Sequence, residues 1–216
     1  ATVLGLTRGR FTKTPQTKRA KRHYQDINRL SASFSFTADL CLLILGGKFK
    51  FKEKLSGRFA DALANLFLAS TTLRRFADDG EPKADADLMH FAVQDSLHRA
   101  EQALFEVYQN FPIPWMGPVL SRLCFPWGRV HHKATDRVGH RIARGLMAES
   151  EMREHITRDV YRPKVADGVG VVLEAFDAVM KAEPAEHAIR NALKAVPTPV
   201  NVEALADRAV EAGVIS

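Results

Sequence analysis

Apolar residues recur at spacings of three and four through Tyr24, Ile27, Leu30, Phe34, Ala38, Cys41 and Leu45, which predicts a helix over about 17–45. Gly46-Gly47 then ends it, as glycine does at a left-handed cap. A second helix is expected from about Lys52, its stripe made of Leu55, Phe59, Ala62, Leu63, Leu66, Phe67, Leu73 and Phe76. It stops before Asp78-Asp-Gly-Glu-Pro82. A third, from about Asp85 to Asn110, carries Leu88, Phe91, Val93, Leu97, Ala100, Leu104 and Val107. Three long helices joined by short turns predict an antiparallel bundle over 17–110.

The pattern changes on either side. Residues 1–16 have little periodicity and read as a basic linker or extended arm. Residues 111–133 are cut by four prolines and two glycines, which leaves room for one short helix from Pro118 to Phe125. Residues 134–216 read as a short-helix region packed on the bundle. Its helices are expected over Thr135–Leu146, Ser150–Val160, Gly168–Ala182 with Asp167 as cap, and Glu183 to about Ala195 with Pro184 in the first turn. A last one runs from Asn201 to Ala212. No strand-like alternation, fixed repeat or low-complexity tract occurs, so the expected class is all-α: three long helices followed by several shorter ones.

Composition narrows the picture little. A chain of 216 residues with 46% hydrophobic and 26% charged residues can bury a core without disulfides or metals. The two cysteines, Cys41 and Cys124, sit among apolar neighbours and read as reduced thiols. No stretch reaches the ~18 unbroken apolar residues of a membrane span. The expected setting is cytoplasmic, with peripheral contact at the inner face of the cell membrane. Ala1-Thr-Val-Leu4 reads as a start inside a larger protein.

Charge is uneven. Residues 1–60 hold 13 Lys/Arg against 3 Asp/Glu, whereas residues 61–216 hold 18 against 22. The basic part suits phosphates, an anionic membrane surface or an acidic neighbouring domain, or only water. Lys48, Lys50, Lys52 and Lys54 alternate with Phe49, Phe51 and Glu53. Trp115, Phe125, Trp127 and Arg129 combine rings with cations, as an interfacial membrane anchor does, although rings of this kind also plug into a bundle or a partner. Nucleic acid is an unlikely partner, because the alternating stretch is too short for a binding sheet.

Candidate chemistry is thin. Gly168-Val-Gly170 lacks the third glycine and the βαβ setting of a dinucleotide fingerprint. Gly46-Gly-Lys48 lacks the spacing of a phosphate loop. His131, His132 and His140 stand among arginines and a lysine, which repel a metal ion, so they read as polar surface. Asp39, inside an apolar run, is expected to be buried and paired with an Arg or Lys of a neighbouring helix.

Arg29-Leu-Ser-Ala-Ser-Phe34 with Ala38-Asp39, then Leu45-Gly-Gly-Lys48 and Lys52-Glu-Lys-Leu-Ser-Gly-Arg58, resemble a run in the carboxy-terminal region of the large bacterial long-chain acyl-CoA dehydrogenases. The resemblance continues through Asp61-Ala-Leu63, Leu66-Phe-Leu-Ala-Ser70, Phe76-Ala-Asp-Asp-Gly-Glu-Pro82, Asn110-Phe-Pro112 and Phe125-Pro-Trp-Gly128, and weakens after about residue 150. It implies a helical domain that follows an FAD-binding catalytic core, in an enzyme that takes hydrogen from the α and β carbons of a long-chain acyl-CoA. The family's catalytic base lies in a Glu-Gly-Ala-Asn type segment ahead of a Gly-Gln-Gly element. Neither occurs in this chain, so no catalytic, cofactor or metal residue is assigned to it.

The resemblance further implies an upstream core as partner, a homodimer, and a helical domain that serves assembly and membrane contact. From the residues alone the alternative is a free-standing helical adaptor for a protein partner or an anionic lipid surface.

Overall fold

A computed structural model describes residues 1–17, 19–161, 163, 168–192, 207 and 209–211. Among them every regular element is helical. The chain divides into two compact units, Ala1–Glu154 and His155–Ser216.

The first unit is built on three long helices, α2 (Lys21–Leu45), α3 (Glu53–Asp78) and α4 (Ala86–Gln109). The buried positions of α3 are Leu55, Phe59, Ala62, Leu66, Ala69, Leu73 and Phe76. Their spacing alternates strictly between four and three, the seam of a coiled coil. On α4, Met89, Val93, Leu97, Ala100, Leu104 and Val107 answer them. The two helices form an antiparallel hairpin. Its turn closes when Glu81 N–H reaches the Phe76 carbonyl and Gly80 N–H reaches Ala77, with Gly80 at φ 81°.

Contacts fix the direction of α2. Tyr24 meets Leu73 and Phe34 meets Phe59, so α2 runs antiparallel to α3. His23 meets His90, Arg29 meets Glu101 and Thr37 meets Tyr108, so it runs parallel to α4. The expected antiparallel relation of successive helices therefore holds for α2 with α3 and for α3 with α4.

The expected stripe of α2 does face the core: Ile27, Leu30 and Cys41 are buried, and Tyr24, Phe34, Ala38 and Leu45 are partly buried against it. Polar residues share that burial. Gln25, Asp26, Arg29, Ser33 and Thr37 are buried with Ile27, Leu30 and Cys41, while Phe36, Leu42 and Leu43 are exposed. Asp39 is exposed too, which corrects the expectation of a buried pair. It lies two residues from both Thr37 and Cys41, on the far side of a 3.6-residue turn. The run Lys21–Phe51 contains an 18-residue window of mean hydropathy 1.5, only 22% of it buried. Length and composition would let it cross a bilayer. Its packed polar side instead makes it a bundle helix with a bare apolar face.

α2 ends at Gly46, whose φ of 52° and ψ of −134° strain any residue with a Cβ. A 3-10 helix, Gly46–Phe51, then leads into α3.

The amino-terminal stretch is not an extended arm. It forms α1 (Thr2–Thr7), and its Gly5 is buried. A Cβ there would collide with the Cys124 carbonyl, so glycine is what lets α1 lie on α5 (Met116–Cys124). α5 begins two residues before the expected Pro118. Gly117 permits a second close approach, since a Cβ on it would strike the Tyr108 carbonyl of α4. α6 (Asp136–Met147) joins α4 through an Arg141–Asp87 pair at 2.9 Å. α7 (Glu151–Thr157) sets Met152 against Gly145.

In the second unit, α8 (Val169–Ala192) runs through Pro184, where a break between two helices was expected. Proline forfeits one backbone hydrogen bond there. Ala178, Ala182, Ala185 and Ala188 flank it, and alanine is the strongest helix former. Ile189 and Ala209 are buried together. The expected Asp167 cap, and most of the expected last helix, lie outside the described residues.

Candidate functional site

The four lysines occupy the turn between α2 and α3. Lys48 and Lys50 lie in the 3-10 helix, Lys52 caps α3 and Lys54 is in its first turn; all four are exposed. Only Phe49 of the interleaved rings packs inward, edge-on to Phe59 at 5.7 Å. Phe51 stays exposed with the Lys50 ammonium 4.9 Å from its centroid. Cations are unfavourable at a helix amino terminus, where the peptide dipole is already positive. The fold gives this charge no evident internal use. Lys52, Lys54 and Arg58 share an open surface depression with Asn110 and Pro112, so the turn sits beside the start of the Pro/Trp segment.

That segment splits. Trp115 and Trp127 are 69% and 66% exposed, whereas Phe125 is 3% exposed and belongs to the core. Phe125 is therefore not a surface contact. Its ring packs against Phe105 and Tyr108 at 5.2 and 5.8 Å, beneath the Arg29 guanidinium at 5.2 Å. Arg129 is exposed and lies over Phe105 at 5.8 Å. Trp115, Val119, Leu123 and Trp127 follow at intervals of four, and all are exposed. The Trp127 indole N–H donates to the Leu6 carbonyl at 3.2 Å, tying the end of this row to α1. The sequence contains no Asp or Glu from Ala1 to Gln25, nor from Asn110 to Thr135.

A buried polar constellation went unnoticed in the sequence. Arg29 and Glu101 are 2% and 0% exposed and form an ion pair at 3.0 Å. The second Glu101 carboxylate oxygen accepts Val130 N–H at 3.0 Å and His131 N–H at 2.8 Å. Arg29 also donates to His131 Nε2 at 3.0 Å, and His98 Nδ1 donates to the His131 carbonyl at 2.9 Å. His132 and His140 are exposed, as expected of polar surface, but His131 is half-buried. Burial, then the neighbouring Arg29 charge, pushes its imidazole down to about 3. The same holds for His23, bonded to His90 at 2.6 Å and pushed down to about 4 by burial and then by His90. A buried carboxylate with three donors is a structural clamp. It fastens the irregular stretch after α5 onto α2 and α4. One signal was available: Arg29 is an arginine in register with Leu30 and Ser33, inside an otherwise apolar pattern.

The chemistry open to this chain is limited. Glu101 spends its oxygens on Arg29 and two backbone amides. Cys41 and Cys124 are free and buried, and burial pushes the Cys41 thiol up to about 11, far from a thiolate. Among the described residues no three His, Cys, Asp or Glu side chains converge as metal ligands. The surface depressions are open and lined by mixed side chains such as Thr14, Arg19, Lys21 and Glu81, or Asp61, His98, Gln102 and Lys133. Neither set fits a flavin ring and its pyrophosphate, which need an enclosed stacking surface and converging amides. No step through a flavin is derived for these residues.

Fold and site together define an all-α module clamped by a buried Arg29–Glu101 pair. The chain belongs to the family described as acyl-CoA dehydrogenase, C-terminal, bacterial type, which matches residues 1–216. The complete enzymes of that family are oxidoreductases. No solved structure matches the chain.

Proposed function

We propose that this chain is the helical domain of an FAD-dependent long-chain acyl-CoA dehydrogenase that serves assembly and peripheral membrane contact and takes no part in the chemistry. The upstream core supplies the base, the flavin and the acyl-CoA site. The observation that carries this reading is the pairing of an inward-facing, hydrogen-bonded polar network with bare apolar faces. A catalytic domain spends buried charge on substrate, whereas this one spends it on holding Val130 and His131. Exposed Trp115 and Trp127, flanked by Arg122, Arg129 and the lysine run, favour contact with an anionic lipid surface at the inner face of the cell membrane.

The test uses the complete polypeptide purified under native conditions. Its visible spectrum is recorded while acyl-CoA thioesters of increasing chain length are added without oxygen. A yellow protein bleached best by the long chains supports the reading. A colourless protein, or one bleached only by short chains, contradicts it.

A further inference from the structure

We infer that residues 8–13 form a cationic surface that gathers the phosphates of a CoA thioester. The inference rests on the acyl-CoA reading above and adds a binding role to a chain that performs no chemistry.

Two segments without Asp or Glu, 1–25 and 110–135, carry seven and three lysines and arginines. They are remote in sequence, and the fold joins them. Gly5 lies against the Cys124 carbonyl, and the Trp127 indole N–H donates to the Leu6 carbonyl. From there residues 8–13 run along α2 as a strap. Arg22 donates to the Arg8 carbonyl at 2.9 Å, Gln25 to that of Arg10 at 3.2 Å and Asn28 to that of Lys13 at 3.2 Å. Gly9, at φ 71°, permits the close approach, since a Cβ there would strike the Gln25 carbonyl. The strap is thus pinned by its backbone, and its charged side chains are left over. Arg8, Arg10 and Lys13 are exposed and have no acidic partner among the described residues.

The nearby acids are already engaged. Asp26 is buried and takes Arg22 at 2.7 Å, and Glu101 takes Arg29 at 3.0 Å. Burial lowers the Arg22 guanidinium from its usual value, and Arg8, Arg29 and Arg10 depress it further against the pull of Asp26. Four guanidiniums therefore act on one another around two engaged carboxylates. Such crowding costs stability unless an anion relieves it.

The occupant this charge fits is a compact polyanion. A phosphate takes two parallel N–H bonds from one guanidinium fork. A CoA thioester carries a phosphate monoester and a diphosphate at the end remote from its reacting carbons. A cationic surface can hold that end without touching the chemistry. Pinning the strap beforehand removes part of the ordering cost of such binding. A bilayer is the rival, since Phe11 is exposed beside Arg10. It fits less well, because the guanidiniums crowd one place instead of spreading over a plane.

The experiment introduces Arg8→Gln, Arg10→Gln and Lys13→Gln together into the complete enzyme. The three side chains are exposed and the strap is held through its carbonyls, so the circular dichroism stays unchanged and the melting temperature does not fall. Steady-state rates are measured at low and high salt with the acyl-CoA that bleaches the enzyme best. They are measured again with the acyl-pantetheine of the same chain length, which lacks the phosphates. KM for the acyl-CoA is expected to rise about tenfold with kcat unchanged, and its salt dependence to shrink, while the acyl-pantetheine constants stay as they were. An unchanged KM for the acyl-CoA overturns the phosphate surface and leaves the enzyme reading standing. Equal losses with both thioesters make the strap a structural element and overturn the surface as well. Weaker flotation on vesicles rich in anionic lipid, with unchanged kinetics, assigns the strap to lipid and overturns the inference. An unaltered enzyme that oxidises no acyl-CoA overturns both readings.

Discussion

Two residues explain why a stretch of paired motifs marks this chain. Arg29 opens the first motif that resembles the family, and Phe125 opens the last one before the resemblance weakens. The guanidinium of one lies 5.2 Å from the ring of the other. Between them Glu101 joins Arg29 to the backbone of residues 130–131. The sequence showed the motifs but not their meeting, because contacts 72 and 102 residues apart leave no periodic trace. The clamp has a pH signature. His131 and His23 are held neutral, at about 3 and about 4, while an unfolded chain titrates near 6.5. Their folded values are depressed, so below about pH 6.5 the unfolded state binds protons that the fold excludes. The stability they support is complete above pH 6.5 and is lost as pH falls toward 4 and then 3, at about 1.4 kcal/mol per pH unit for each imidazole. His131→Gln keeps an acceptor for Arg29 and removes the proton. Urea unfolding at pH 7.5, 6 and 5 should show a shallower acid loss in the variant. Identical slopes in the two proteins would sink the assignment.

At the scale of elements, the ends of the three long helices were legible to within a few residues, because glycine, proline and acidic stop signals punctuate them. α3 was the easiest, its seam being a clean alternation of four and three. α2 turns its expected stripe to the core, but the buried Arg29, Ser33 and Thr37 beside it and the exposed Phe36, Leu42 and Leu43 behind it were not legible, because apolar and polar residues lie on both faces. α1 was missed because six residues are too few to show a period, and its place depends on Gly5 lying against Cys124. Pro184 was taken as a break, although a continuous helix tolerates it among alanines.

The Pro/Trp segment splits between surface and core. The regular spacing of Trp115, Val119, Leu123 and Trp127 marks a row along α5, while Phe125 turns inward. That row predicts a separable effect. Replacing both Trp115 and Trp127 by Ala should weaken co-flotation of the complete enzyme with vesicles rich in anionic lipid by roughly thirtyfold, since each ring contributes on the order of 1 kcal/mol at a headgroup interface. Phe125→Ala should instead lower stability, by about 3–5 kcal/mol, as a core cavity does. Unchanged flotation in the double variant would remove α5 from any membrane role.

On the scale of the whole molecule, the first unit combines a well-satisfied interior with an unusual amount of exposed apolar surface on α2, α3 and α5. A free-standing protein of this size keeps such surface small. The exposed apolar surface is in keeping with the assembly role proposed above. The central claim is that the chemistry lies elsewhere in the enzyme. It is tested most directly by treating the complete enzyme with an electrophilic acyl-CoA analogue that alkylates the carboxylate taking the α-proton, then mapping the adduct by peptide mass. The account predicts one modified carboxylate outside these 216 residues. An adduct on Glu101, Glu106 or any other carboxylate of this chain would contradict it.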